Sequence, residues 1–236
     1  MAKRKGATTI ETRGGARPSR EPSPRRTKGR AAPVPAPPTG TNGDGATARV
    51  AVPSRPIVSV GARDRLEHCR SLIRDVPDFP TPGIMFKDIT PLLADPRAFH
   101  IVLDSIAERY IGEHIDAIVG IEARGFIFGG ALAARLNASF VPARKPGKLP
   151  AASDRVAYKT EYSLSELEMH KDSLLEESRV VIVDDVLATG GTAKAAAELV
   201  RKQNAHVVGY AFVIELSFLG GRERLLPVKA ESVLTY

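Results

Sequence analysis

From about residue 62 onward, apolar residues recur at helical spacing: Leu66, Cys69, Leu72, Ile73 and Val76 share a face before Pro77, Pro80 and Pro82 break the pattern. The spacing predicts a helix that leads into an irregular loop. Asp95-Pro96 then opens a second helix, an N-cap acid followed by proline in the first turn, with Phe99, Val102, Leu103, Ile106 and Tyr110 on the face that covers a sheet. Four nearly continuous apolar runs, 116–121, 138–143, 179–183 and 206–216, read as strands buried on both faces. Between them, 125–136 and 192–203 read as helices, the second turning Ala196, Leu199 and Val200 inward. Buried strands alternating with helices predict an α/β domain with a doubly wound, mostly parallel sheet flanked by helices. Such folds bind ligands at the carboxyl ends of the strands. Residues 145–172 interrupt the rhythm without a clear core pattern, and a long insertion above a strand's carboxyl end reads as a mobile lid loop.

Composition divides the chain. Residues 1–60 hold 12 Lys/Arg against 3 Asp/Glu, so the net charge of +7 arises there, together with 9 of the 18 prolines and no aromatic residue. Such a segment buries too little apolar surface to offset the entropy of ordering it. Residues 1–61 are therefore expected to be a disordered, basic, Pro/Gly-rich tail, and residues 62–236 the folded domain. A basic tail suits nucleic acid or an acidic surface, but without aromatic rings to stack on bases a solvated extension is the favoured reading. The tail has no apolar h-region of a secretory signal, and no segment reaches the roughly 18 apolar residues of a membrane span. An organelle transit peptide and a start codon nearer Val58 or Val60 stay open as alternatives. The single cysteine, Cys69, excludes an intramolecular disulfide and fits a reducing cytoplasm, and its helical spacing marks it as a packing residue.

The chemistry concentrates in 180–192, VVIVDDVLATGGT. An apolar strand runs into Asp184 and Asp185, which are expected where it leaves the sheet. Thr189-Gly190-Gly191-Thr192 then turns into a helix, and its amides with the helix N-terminus make a cradle for one phosphate. No lysine follows the second glycine, so this is not a Walker loop, and the spacing does not match the dinucleotide turn. The two acids must serve something attached to the phosphate. A sugar is the natural candidate, because carboxylates accept hydrogen bonds from vicinal hydroxyls. Ribose 5-phosphate fits, with its phosphate on 188–192 and its hydroxyls toward the acids.

This run resembles the phosphoribosyl-pyrophosphate motif of the type I phosphoribosyltransferases. Three further segments, FPTPGIMFKDIT (79–90), IEARGF (121–126) and RKPGKLP (144–150), together with Glu161-Tyr162, resemble the adenine phosphoribosyltransferase family in order and spacing. The resemblance covers about residues 62–236. It implies the type I phosphoribosyltransferase fold, with a small hood and a mobile lid, and transfer of the phosphoribosyl group to adenine, giving AMP and pyrophosphate. Substrate-binding residues are then Arg124, Arg144, Lys145, Lys148, Asp184, Asp185, Ala188, Thr189, Gly190, Gly191 and Thr192. Arg124, Lys145 and Lys148 would meet the polyanionic leaving group. The acidic pair would hold the ribose and face the positive charge that grows on it. Arg144 is expected to reach the site of a partner subunit, which makes a homodimer the working unit. The Glu122–Ala123 peptide corresponds to the family's non-proline cis bond. Mg²⁺ is implied as cofactor, bound mainly through substrate and water, with neither Asp a dedicated metal ligand. Glu161 is the candidate for handling adenine's proton. Met85, Phe86 and Lys87 are expected to present a ring and backbone amides to the base, with Val186 on its other side. Met85 and Lys87 stand where relatives often have Val and Arg. The family's 6-oxopurine enzymes place a lysine in the strand after the motif helix, and 213–216, VIEL, has none. A xanthine or other purine enzyme, and a phosphoribosyl-pyrophosphate-sensing regulator, are the competing readings.

Overall fold

A computed structural model describes residues 61–159 and 164–236. The basic tail and the segment with Glu161 lie outside the described residues. Helix α1 (Ala62–Ser71) buries Cys69 fully, with its thiol 3.7 Å from the Ala98 carbonyl, so the cysteine is a packing residue as its spacing predicts. The next segment corrects the expectation of an irregular loop. It forms a small antiparallel sheet of β1 (Arg74–Pro77) and β2 (Met85–Asp88), with Val76 opposite Phe86. Pro77 closes β1, and Pro80 and Pro82 lie in the connecting turn, positions where proline is compatible with strand pairing.

After α2 (Thr90–Ala94), α3 (Pro96–Ala107) starts as its sequence predicts, the Asp95 carboxylate accepting from the Ala98 amide at 2.8 Å. Strand β3 (Ala117–Ile121), helix α4 (Gly125–Leu136) and strand β4 (Ser139–Ala143) follow. Residues 145–172 are not the patternless insertion expected. They contain β5 (Ser153–Lys159) and β6 (Leu164–His170), an antiparallel pair whose Val156, Leu167 and Met169 are buried in the main core. Their apolar residues alternate with polar ones at period two, interleaved with charges, which a search for continuous apolar runs passes over. The lid region thus has a fixed, packed base.

Strand β7 (Arg179–Leu187), helix α5 (Gly191–Lys202), β8 (His206–Glu215) and β9 (Ala230–Thr235) complete a five-stranded sheet of order β4-β3-β7-β8-β9, parallel throughout. Alternate residues of the central strands feed opposite cores. Val119, Ile121, Val180 and Ile182 pack with Ala196, Leu199 and Val200 of α5, whereas Ile118, Val181 and Val183 pack with Val102, Phe128 and Leu132 of α3 and α4. Burial on both faces is why these strands read as unbroken apolar runs. Edge strand β9, with only Ala230 and Leu234 buried, carries no such run and was not foreseen. No helix among the described residues is long and apolar enough to cross a membrane.

Sheet order reverses between β3 and β7, because β4 lies on one side and β8 and β9 on the other. The crevice at their carboxyl ends is where doubly wound folds bind ligands. Strand β7 also corrects a boundary. It continues through the acids to Leu187, Asp184 opposite Phe212 and Val186 opposite Ile214. The backbone ladder extends past the last apolar pair because β8 offers partners as far as Glu215.

Candidate active site

The turn after β7 brings the chain into α5 through Gly190 at φ +78°, a left-handed conformation that favours glycine. The first helical bond runs from Lys194 N to Gly190 O at 3.0 Å. Amides of Gly191, Thr192 and Ala193 therefore lie ahead of the helical ladder, at the positive end of the dipole. Ala188, Thr189, Gly190, Gly191 and Thr192 line one concavity together with Asp184. Its size and donors suit a single phosphate.

Asp184 and Asp185 occupy the adjoining stretch of β7. Asp185 is 3% exposed, and its amide donates to Asp184 Oδ1 at 2.9 Å. Burial, followed by repulsion from Asp185, pushes the Asp184 carboxyl well above the usual carboxylate range. Burial also raises Asp185, although the Arg124 guanidinium pulls it down. Arg124 Nε lies 2.6 Å from Asp185 Oδ2, yet outside hydrogen-bond alignment, so this buried oxygen has an ionic partner and no directed donor. The start of α4, just after Arg124, is pressed onto the acidic strand. A Cβ on Gly125 would stand 2.6 Å from Val183 O and 3.1 Å from Asp184 Oδ1.

A second cavity of about 300 Å³ adjoins the pair, lined by Met85, Phe86 and Lys87 from β2, by Arg124, and by Val186 and Leu216. All four residues expected at the base are thus gathered around one space with the acids. Phe86 meets Phe79 edge to face at 5.1 Å and has the Arg124 guanidinium 5.2 Å from its ring centre. The Lys87 ammonium is engaged elsewhere, 2.5 Å from Asp75 Oδ1 and 4.2 Å from the Tyr236 ring centre.

The cations after β4 are organised by two carboxylates that sequence reading did not single out. Glu122 accepts from Arg144 Nη2 at 3.1 Å, Lys148 Nζ at 2.8 Å and the Lys145 amide at 3.0 Å. Burial opposes its ionisation, but these donors outweigh burial and hold the carboxyl at about 2. Arg144 also donates to Lys148 O at 3.0 Å, while its Nε is buried without a partner among the described residues. Glu168, 1% exposed on β6, gathers the amides of Lys148 and Leu149, the Ser153 hydroxyl and Arg155 Nε within 3.4 Å. Its main chain also pairs with that of Arg144. Nothing local marks either glutamate, since their partners lie up to 26 residues away. The Glu122–Ala123 peptide is cis, as the resemblance implies. Among the described residues no group of three or more His, Cys, Asp or Glu is placed to hold a metal ion.

Comparison with known proteins accords with this geometry. The family described as "Phosphoribosyl transferase domain" matches residues 92–232. The adenine phosphoribosyltransferase of Sorangium cellulosum (strain So ce56) is 69% identical over 160 residues, spanning 68% of this chain and 80% of the relative. The crystal structure of adenine phosphoribosyltransferase from Rhodothermus marinus superposes with a TM-score of 0.71 at 47% identity, covering 74% of this chain and 99% of that one. The Saccharomyces cerevisiae enzyme, complexed with adenine and D-2,5-dideoxy-2,5-imino-altritol 1,6-bisphosphate, gives 0.69 at 39% identity over 73% of this chain and 99% of its own. Sheet order, motif and relatives agree: the chain belongs to the phosphoribosyl transferase family and, within it, to the adenine phosphoribosyltransferases.

Proposed function

We propose that the chain transfers the 5-phosphoribosyl group of phosphoribosyl pyrophosphate to adenine, giving AMP and pyrophosphate, a reaction of purine salvage. The observation that carries this reading is the acidic pair set between a one-phosphate cradle and a cavity with an aromatic wall. Ligands of both kinds, adenine and a sugar-like bisphosphate, are held by the yeast relative.

In this reading the 188–192 loop takes the 5-phosphate and Asp184 and Asp185 accept hydrogen bonds from the ribose hydroxyls. As the bond from C1 of the ribose to pyrophosphate breaks, positive charge grows on the sugar beside these carboxylates, so their attraction is stronger in the transition state than in the ground state. Arg124, Lys145 and, on exchanging Glu122 for substrate, Lys148 meet the charge that develops on the leaving pyrophosphate. The ring nitrogen of adenine forms the new bond to C1 and gives up its proton, for which Glu161 is the candidate acceptor. Phe86 and Val186 sandwich the base, and the β2 backbone reads its edge. Mg²⁺ fits beside this donor set, which is all oxygen: Asp184 and Asp185 would help to hold it by way of the substrate. When bound, it would supply positive charge to the pyrophosphate.

Base choice is the point at which a 6-oxopurine reading competes. Residue Glu215, in the segment where a 6-oxopurine enzyme carries its lysine, is buried against Arg222, which favours the amino purine. A homodimer is the working unit in this reading. Ile127 and Phe140 leave apolar surface exposed on α4 and the edge strand β4, and Arg144 has an unsatisfied buried Nε near by in sequence. A cytoplasmic setting suits the lone, buried thiol of Cys69.

The test is to mix the protein with phosphoribosyl pyrophosphate, Mg²⁺ and, in turn, adenine, hypoxanthine, guanine, xanthine and orotate, and to follow nucleotide formation. Adenine alone should turn over rapidly. Turnover of xanthine in preference to adenine would overturn the base assignment, and none with any base would favour a sensing role.

A further inference from the structure

The phosphate cradle is backed by a segment that the reaction described above does not use. Beyond β8 the chain makes one short 3-10 turn over Ser217–Leu219 and a second over Glu223–Leu225, linked by Gly220 and Gly221. A Cβ on Gly221 would stand 2.1 Å from Ala188 O, 3.0 Å from Leu187 Cδ1 and 3.1 Å from Ala188 C. Reciprocally, a Cβ on Gly190 would stand 2.6 Å from Gly221 O. These obstacles are mostly backbone, which cannot swing aside as a side-chain end can. Two stretches of main chain therefore touch through residues without side chains, one of them the cradle itself.

The turn that brings Gly221 there is itself anchored. Arg222 donates from Nε to Glu215 Oε1 at 2.9 Å, from Nη2 to Glu215 Oε2, and from Nη1 to Ala230 O. Glu215 is 6% exposed at the end of β8, and Ala230 opens β9. A bidentate pair of this kind fixes the orientation of the guanidinium as well as its position. Strand ends β8 and β9, Arg222, Gly221 and the Ala188 carbonyl thus form one rigid line of contact.

We propose that Gly221 and Arg222 are positioning residues of the 5-phosphate site: they set how deep the 188–192 loop sits and so aim its amides at the phosphate. The inference rests on assigning that loop to the 5-phosphate. It predicts a selective defect. A methyl group at 221 must push the Ala188 carbonyl away by most of an ångström, which misplaces the whole cradle but only the Ala188 corner of the base cavity, whose Phe86 wall stays where it is.

The experiment compares the full-length chain with Gly221→Ala, Arg222→Gln and a control, Gly130→Ala, whose added Cβ meets nothing within 4 Å. For each, kcat, the KM for phosphoribosyl pyrophosphate, the KM for adenine at saturating co-substrate, and the Kd for AMP are measured, with circular dichroism and thermal melting as folding checks. Gly221→Ala should lower kcat/KM for phosphoribosyl pyrophosphate by about 10²-fold, mostly through KM, with AMP binding weakened in parallel and the KM for adenine raised at least tenfold less, since Ala188 also borders the base cavity. Arg222→Gln, which loosens the turn without a clash, should shift the same constants in the same direction by less, and Gly130→Ala should shift none. A folded Gly221→Ala with an unchanged KM for phosphoribosyl pyrophosphate, or with both substrates equally affected, overturns the proposal. If Gly221→Ala fails to fold, the same criteria applied to Arg222→Gln decide. An inactive unmodified chain would instead overturn the functional reading, and this inference with it.

Discussion

At Asp184, burial and then the neighbouring Asp185 raise the carboxyl, so between its ordinary value of 3.8 and its raised value the folded protein holds more proton than the unfolded chain. Stability contributed by this site accordingly falls as pH rises through that window. Asp184→Asn removes the repulsion. It should raise the melting temperature at neutral pH by about 2–4 °C while lowering kcat/KM by about 10²-fold, which calorimetry and steady-state assays would read separately. Glu122 carries the opposite sign. Held at about 2 against an ordinary 4.5, it contributes stability above pH 4.5 that is lost as the pH falls toward 2. Glu122→Gln should flatten that acid limb of a denaturant-midpoint against pH curve. The placement of the acids, the 188–192 turn and Arg124 around one crevice was legible because each is announced within a few residues by strand, turn or helix signals. Glu122 and Glu168 were not, since a carboxylate's partners across a fold leave no local trace.

Among the elements, the β1–β2 sheet is the one whose placement bears most on the base recognition proposed above. It is tied to the end of the chain: Tyr236 presents its ring to the Lys87 ammonium at 4.2 Å and to the Arg70 guanidinium at 4.7 Å, joining β2 and α1. Tyr236→Leu should raise the KM for adenine by about two- to fivefold, the range of a partly exposed cation–π pair, and leave that for phosphoribosyl pyrophosphate unchanged. Phenylalanine at the same position should restore it. The helices and central strands were readable because their patterns are long and apolar on a fixed period. The β1–β2 pair was hidden by its prolines, β5 and β6 by charges interleaved with Val156, Leu167 and Met169, and β9 by its exposed edge position. The end of β7 was misjudged because backbone pairing with β8, not side-chain polarity, decides where a strand stops.

For the molecule as a whole, the charge partition and the family match agree in assigning chemistry to the later part of the chain. We propose residues 62–236 as the catalytic unit. A chain beginning at residue 61 should keep the kcat and both KM values of the full protein, and sedimentation should find it dimeric. The sheet order adds a consequence for how the enzyme comes into being. Ala117 of β3 pairs with Val180 of β7, more than sixty residues later, and this long-range pairing is what brings Arg124 beside Asp185. Pairings so distant are slow to form, and a ligand that binds only the finished crevice affects escape from the native state more than arrival at it. AMP bound at this crevice should therefore act as a brake on unfolding while leaving the refolding rate almost untouched, lengthening the life of each folded molecule without hastening its birth.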